Sequence, residues 1–215
     1  MDESRAWNAV EKLGIALVYP IANERMPPSL WYELHPRTKM RWDWNEGADD
    51  RVVELWHLRN EMAKSGDVAY GKWFRGRATF FALDVFHAML GALHEAGDVM
   101  RGLPRESLEI LELLAERSPM STKELRAAAG LTGKPFEGIF THAMKALWSR
   151  LLVVGVGEVE DGAFPSLAVS ATELAFEDIW AARKTPSREQ RDKLDAAFAR
   201  TPAFAKHFAK TLREL

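Results

Sequence analysis

PRESLEILELLAERSPMSTKELRAAAGLTGKPFEGIFTHAMKALWSRLLVVGVGEVEDGAFPSLAV, residues 104–169, is the stretch whose periodicity decides the fold. Pro104 suits the first turn of a helix, where its missing N–H leaves nothing unpaired. Leu108, Leu111 and Leu114 follow at helical spacing to about Arg117. Ser121 or Thr122 then caps a short helix, and Glu124, three residues after Ser121, completes a capping-box pattern. Gly130 is a natural residue to end that helix, because a glycine adopts the left-handed conformation without penalty. A third helix begins near Gly133-Lys134-Pro135. Its apolar stripe is Phe136, Ile139, Phe140, Ala143, Met144, Leu147 and Leu151, an i, i+3, i+4, i+7, i+8 pattern that predicts an inward face. After Arg150 the period changes: Leu151 to Val156 is β-rich, Asp161-Gly162 is a hairpin signal, and Phe164 to Val169 reads as the return strand. Helix, helix, short glycine turn, helix and two-stranded wing is the order of a winged helix-turn-helix.

That order implies duplex DNA as the ligand, because such a unit lays its second helix-turn-helix helix in the major groove, where base edges carry a readable pattern. The stripe of the helix over about 134–150 leaves Lys134, Gly138, Thr141, Lys145 and Ser149 on the opposite face, with His142 and Arg150 beside it. Short polar groups and cations suit phosphates and base edges. Ser121, Thr122 and Lys123, at a helix N-terminus, are candidates for a phosphate contact. The hairpin tip, Glu158-Val159-Glu160-Asp161-Gly162, points the other way, since three acids repel a phosphate backbone. It keeps open a wing held off the DNA, a protein-interaction winged helix, and a unit used only for packing.

Outside this stretch the signals are coarser. Residues 6–22 are apolar-rich, and Leu13 to Tyr19 fits a helix end and a buried strand equally. Pro20, Pro27 and Pro28 mark a loop. Ser29 to Leu34 reads as one or two helical turns, and Trp42 and Trp44 as an extended segment. Asp49 or Asp50 caps a helix running to about Lys64, before Gly66. Gly71 to Arg77 is a glycine-flanked basic and aromatic segment, and residues 80–95 read as an apolar helix with Phe81, Val85, Met89 and Leu93 on one stripe. From 172 the chain is helical again, with Pro186-Ser187 opening a basic amphipathic helix to about Arg200 and Pro202 opening a last one that carries Phe204 and Phe208.

Composition excludes several classes. Without cysteine there is no disulfide, thiolate metal site, iron–sulfur cluster or cysteine nucleophile. The charged N-terminus leads into no signal peptide, and no apolar run is long enough to span a membrane, so a cytoplasmic location is expected. The net charge of −2 is uninformative, but its distribution is not. From Arg117 to Arg150 six basic residues stand against Glu124 and Glu137, and from Arg183 to Arg213 nine stand against three acids. Clustered cations attract a phosphate backbone, and they equally form solvated helix faces.

Enzyme and metal motifs are incomplete. Glu54-x-x-His57 is half of a di-iron helix motif and has no second copy. His87 and His94, seven apart on an apolar helix, read as histidines at the rim of the core. Gly130-x-x-Gly133-Lys134 is too short for a phosphate loop and has Pro135 where Ser or Thr belongs. Gly155-x-Gly157 opens no helix, and Gly-x-Ser-x-Gly is absent.

Trp42-Asp43-Trp44, Tyr70-Gly71-Lys72-Trp73-Phe74-Arg75-Gly76-Arg77-Ala78-Thr79-Phe80, and Leu103 to Gly130 with Ser121-Thr122-Lys123-Glu124-Leu125-Arg126 resemble AlkZ-related proteins. These are bacterial relatives of the AlkZ/YcaQ group of winged-helix DNA glycosylases, and the resemblance covers most of residues 10–170. It implies a tandem winged-helix fold, duplex DNA as ligand and, in true glycosylases, excision of a damaged base without a metal. It also makes Lys72, Arg75 and Arg77 candidate phosphate contacts. The Gln-x-Gln pair that positions water in the glycosylases has no match here: the single glutamine is Gln190, and Ile15 to Val18, the counterpart run, are apolar. An amide orients water through its oxygen and N–H donors, and an alkyl group does not.

The sequence therefore predicts a mainly α chain with small β-hairpins in a tandem winged helix-turn-helix arrangement. The expected division is an N-terminal winged-helix-like or helical domain over 1–100, a winged helix-turn-helix domain over 101–170 and a C-terminal helical segment over 171–215. The expected function is DNA binding, as a transcription regulator or DNA-repair accessory, with no cofactor, no metal and no membrane, and with a homodimer or protein partner left open. The alternatives are a glycosylase acting on alkylated or crosslinked bases, with Asp43 or Asp84 replacing the glutamine, and a protein-interaction module.

Overall fold

The computed structural model describes residues 3–42, 49–162 and 165–215. Asp43, Trp44 and the start of the expected return strand at Phe164 lie outside the described residues.

Helix α1 (Glu3–Leu13) buries Ala6, Ala9, Val10 and Leu13 and ends at Gly14, whose φ is +74°. Strand β1 (Ile15–Leu17) is wholly buried, which is why its sequence shows no alternation. After the short helix α2 (Leu30–Leu34), α3 (Asp50–Ser65) starts where the Asp49 side chain accepts from the Arg51 N–H and stops at left-handed Gly66. Strands β2 (Val68–Phe74) and β3 (Arg77–Ala82) are joined by Arg75 and Gly76, both at positive φ. That two-residue connection matches the right-handed twist of a hairpin. Helix α4 (Leu83–Ala96) follows. The sequence expectation of a helix from residue 80 is thus corrected: Phe80, Phe81 and Ala82 belong to β3.

The same order recurs: α5 (Arg105–Glu116), β4 (Met120–Ser121), α6 (Thr122–Ala128), a 3-10 turn over Lys134–Phe136, α7 (Glu137–Ser149), β5 (Val153–Val159) and β6 (Ser166–Ala171). Each half builds a three-stranded antiparallel sheet with its third strand in the middle, β1-β3-β2 and β4-β6-β5. The chain is mainly helical around these two small sheets. Helix α8 (Thr172–Ala175) packs against β5 and β6, and α9 (Glu177–Ala181), α10 (Arg188–Arg200) and α11 (Pro202–Leu212) then run back over the first half. α10 lies along α4, and Phe204 of α11 packs on Trp73 and Phe74 with ring centroids 5.7 and 4.9 Å apart.

One continuous apolar core runs through both halves. At the seam α3 lies against β5, and β2 lies against β5 and α7. Two glycines allow this approach: a Cβ on Gly155 would stand 2.5 Å from the Tyr70 ring, and one on Gly71 would stand 3.2 Å from Trp148. Of the stripe expected to face inward on α7, Phe140, Ala143, Met144 and Leu147 are buried, whereas Phe136 and Ile139 are 40% and 41% exposed.

Candidate nucleic-acid interface

One concave surface combines pieces from distant parts of the chain. It is a cleft of about 660 Å³ lined by Lys72, Arg75 and Gly76 of the first hairpin, Thr122 and Arg126 of α6, Phe140, Thr141, Met144, Lys145 and Trp148 of α7, Leu167 of β6, and His207 and Lys210 of α11. Five of these residues are cations and none is an Asp or Glu. The floor is apolar and the rim is positive, so an approaching anion meets attraction unopposed by any lining carboxylate.

Local structure fixes each contributor. Lys72 stands on β2 and Arg75 in the β2–β3 turn, and the Arg75 guanidinium lies 5.0 Å from the Phe74 ring centre. Arg126 lies 4.5 Å from the centre of the Phe140 ring, which holds its charge over the cleft floor. α7 supplies Thr141 and Lys145 from its exposed side while Phe140, Met144 and Trp148 anchor it below. From α11, the His207 Nε2 bonds the Trp73 carbonyl at 3.0 Å, and its ring packs 4.9 Å from Trp73 and 5.2 Å from Phe74. A carbonyl only accepts, so Nε2 carries the proton and Nδ1 is the basic nitrogen. Crowding in the cleft and the neighbouring Arg59 and Arg126 charges push the Lys72 amine below its ordinary range, with Glu158 opposing. Desolvation likewise lowers the His207 pKa, opposed by its bond to Trp73 and reinforced by Arg75, Lys145 and Lys210.

The residues singled out from sequence divide clearly. Lys72, Arg75, Thr122, Thr141 and Lys145 meet in the cleft. Lys134 and His142 are exposed on the same helical region without lining it, and Arg77 is exposed beside the hairpin turn. Ser121 is buried and serves as a cap: its hydroxyl accepts from the Glu124 N–H at 3.1 Å while the Glu124 carboxylate accepts from its N–H at 2.8 Å. Lys123 is exposed and donates to the Asp161 carbonyl, which ties α6 to the second hairpin. Arg150 is a correction. It is 7% exposed, and its Nη1 donates to the Val99 and Arg101 carbonyls, each at 2.7 Å, so it braces the segment before α5 and offers nothing to a ligand.

The expected acidic hairpin tip also reads differently. The Glu158 carboxylate pairs with Arg59 and accepts from the Trp56 indole at 2.9 Å, and its backbone N–H donates to Asn60 at 2.8 Å. Its charge is compensated within the seam, so it does not face an incoming phosphate. Hydroxyls of Ser166 and Ser121 hold the Asp161 carboxyl below its usual range.

Sequence reasoning missed Arg126, His207 and Lys210. Arg126 lay within the basic run over 117–150, and the other two within the basic C-terminal run, but only tertiary packing brings them to one wall. The enzymatic candidates lie elsewhere. Asp84 on α4 pairs with Lys193 and accepts from Gln190 Nε2 at 3.0 Å, outside the cleft. Gln190 itself completes a capping box with Ser187 at the start of α10. Glu54 and His57 are exposed on α3, His87 bonds the Ala182 carbonyl at 2.8 Å, and His94 bonds Arg183. Among the described residues no group of three or more His, Asp or Glu is placed to hold a metal ion, and no helix is long and apolar enough to cross a membrane.

The AlkZ-related family model matches residues 2–212, nearly the whole chain, and the protein belongs to that family. No curated protein and no solved structure matches the chain.

Proposed function

From membership of the AlkZ-related family, and from the five-cation cleft beside α7, we propose that the protein is a cytoplasmic duplex-DNA-binding protein built from two winged-helix units, acting as a transcription regulator or a DNA-repair accessory. The units correspond to residues 1–100 and 101–170, with the 171–215 segment strapped across the first. The supporting topology is the repeated order helix, strand, helix, helix, strand, strand, with the third strand central in both sheets.

The single observation that carries the reading is the lining of the cleft: Lys72, Arg75, Arg126, Lys145 and Lys210 converge with no carboxylate among them. Cations from four separate elements, the first hairpin, α6, α7 and α11, fit an extended polyanion better than a small one, because each reaches a different point along the cleft. The exposed polar side of α7, with Thr141, His142 and Lys145, is the surface offered to base edges and sugars. The apolar strand Ile15–Leu17, buried in the first sheet, offers no amide for base excision, so the proposal is limited to DNA binding.

Binding of a fluorescent mixed-sequence duplex tests the proposal. The wild-type protein binds at low salt, and Lys134→Glu with Lys145→Glu weakens binding at least tenfold and flattens its salt dependence. No duplex binding by the folded wild-type protein at low salt overturns it.

A further inference from the structure

The C-terminal strap brings a histidine, His207, into the cleft beside Lys210. We infer that His207 is a phosphate-contacting residue of the site, and that polyanion binding loads it with a proton. The inference rests on the duplex-binding reading and adds to it a residue and a proton.

The geometry restricts what the ring can do. With Nε2–H committed to the Trp73 carbonyl, protonation falls on Nδ1 and creates an imidazolium whose first donor is already satisfied. The charged groups around it come from every element that packs there: Arg75 from the first hairpin, Lys145 from α7 and Lys210 from α11 itself, with Lys72 and Arg126 completing the cleft lining. All are positive. In the free protein desolvation in the packed wall beside Trp73 and Phe74, reinforced by Arg75, Lys145 and Lys210, disfavours an added charge on the ring, against the pull of the Trp73 carbonyl.

A phosphate backbone in the cleft reverses that balance. It neutralises the surrounding cations and presents oxygens that accept from the imidazolium. The affinity of His207 for a proton therefore rises when the ligand binds, and by linkage the ligand binds more tightly where the ring is protonated. A small change in pH through the histidine range then tunes DNA affinity through a residue outside α7.

The decisive experiment is an NMR titration of the His207 ring in the wild-type protein, free and saturated with a short mixed-sequence duplex. Calorimetry in two buffers of different ionisation enthalpy counts the protons taken up. The expected result is a raised His207 pKa in the complex, net proton uptake near neutral pH, and affinity about tenfold higher near pH 6 than near pH 8. His207→Gln, whose amide N–H can still reach the Trp73 carbonyl, loses most of that pH dependence, whereas His142→Gln on α7 leaves the His207 shift in place. Duplex binding with an unchanged His207 pKa, or equal pH dependence in wild type and His207→Gln, overturns this inference alone. Absence of duplex binding at any pH overturns it together with the reading it rests on.

Discussion

Arg59 on α3 and Glu158 on β5 form an ion pair across the seam between the two halves, with each side chain only 14% exposed. Trp56 and Asn60 bond the same glutamate from α3, and the Tyr70 hydroxyl lies 3.5 Å from Arg59. Burial pushes the neighbouring Tyr19 hydroxyl up to about 12, against the lowering effect of Arg59. The pair joins residues 99 positions apart in the chain, and it does so beside Lys72.

Removing one member of such a pair leaves its partner charged in a poorly hydrated site. Glu158→Ala is expected to destabilise the protein by about 3 kcal/mol, at the lower end for breaking a buried pair. Glu158→Gln, which keeps the acceptor for Trp56, costs less. Chemical denaturation measures both. Equal, near-zero effects contradict the assignment of this pair to the seam.

Gly155 sits where β5 meets the buried Tyr70 ring. Its missing side chain leaves no room for a Cβ, which would stand 2.5 Å from one ring carbon and 2.9 Å from another. Gly155→Ala therefore forces a shift in a packed interior and is expected to cost about 1–3 kcal/mol. Gly76, with nothing near its Cβ position, is a control for space, although its φ of +74° strains any replacement. A denaturation midpoint for Gly155→Ala equal to wild type contradicts the close approach.

Arg150 separates a brace from a DNA contact. Arg150→Ala leaves the Val99 and Arg101 carbonyls without their guanidinium donor, and a loss of about 1.5–3 kcal/mol of stability is expected. The salt dependence of duplex binding is expected to stay unchanged, because the residue reaches no ligand. A reduced salt slope at unchanged stability contradicts the brace.

Stability without DNA should fall as the solution becomes acidic. Desolvation lowers the pKa of His35, His94 and His207 in the folded chain, with nearby Arg51 adding to the effect at His35 and Arg183 at His94. The unfolded chain then binds more protons, so the stability these groups contribute is present above their ordinary value near 6.5 and is lost as the pH drops below it. Asp49, Asp84 and Asp161 are held low and titrate further down, so they add nothing in this window. Thermal unfolding from about pH 7.5 to about pH 5.5 should show a falling Tm, flattened when the three histidines are replaced by Gln. A constant or rising Tm in the wild-type protein contradicts it.

The second half was legible because its helices are amphipathic and its breaks are marked. The Ser121–Glu124 capping box and left-handed Gly130 appear where the sequence places them. The first half was less legible because its sheet is buried on both sides: β1 is fully buried, and β3 runs into α4 with no polar break between Phe80 and Leu83. Periodicity carries no signal where every position is apolar. The cleft was half legible. Lys72, Arg75, Thr141 and Lys145 carried a sequence signal, whereas His207 and Lys210 enter only because α11 folds back onto Trp73 and Phe74. Ion pairing hid in the same way: nothing in the run Glu158 to Asp161 tells that its first acid faces Arg59.

The measurement that bears most directly on the cleft is the slope of log affinity against log salt for a mixed-sequence duplex, compared between wild type and a variant with Lys72, Arg75, Lys145 and Lys210 each replaced by Gln. Each lost phosphate contact lowers the slope by about 0.9, so a decrease of about 3–4 is expected in a variant whose Tm confirms that it folds. An unchanged slope in that folded variant contradicts the cleft as the DNA interface.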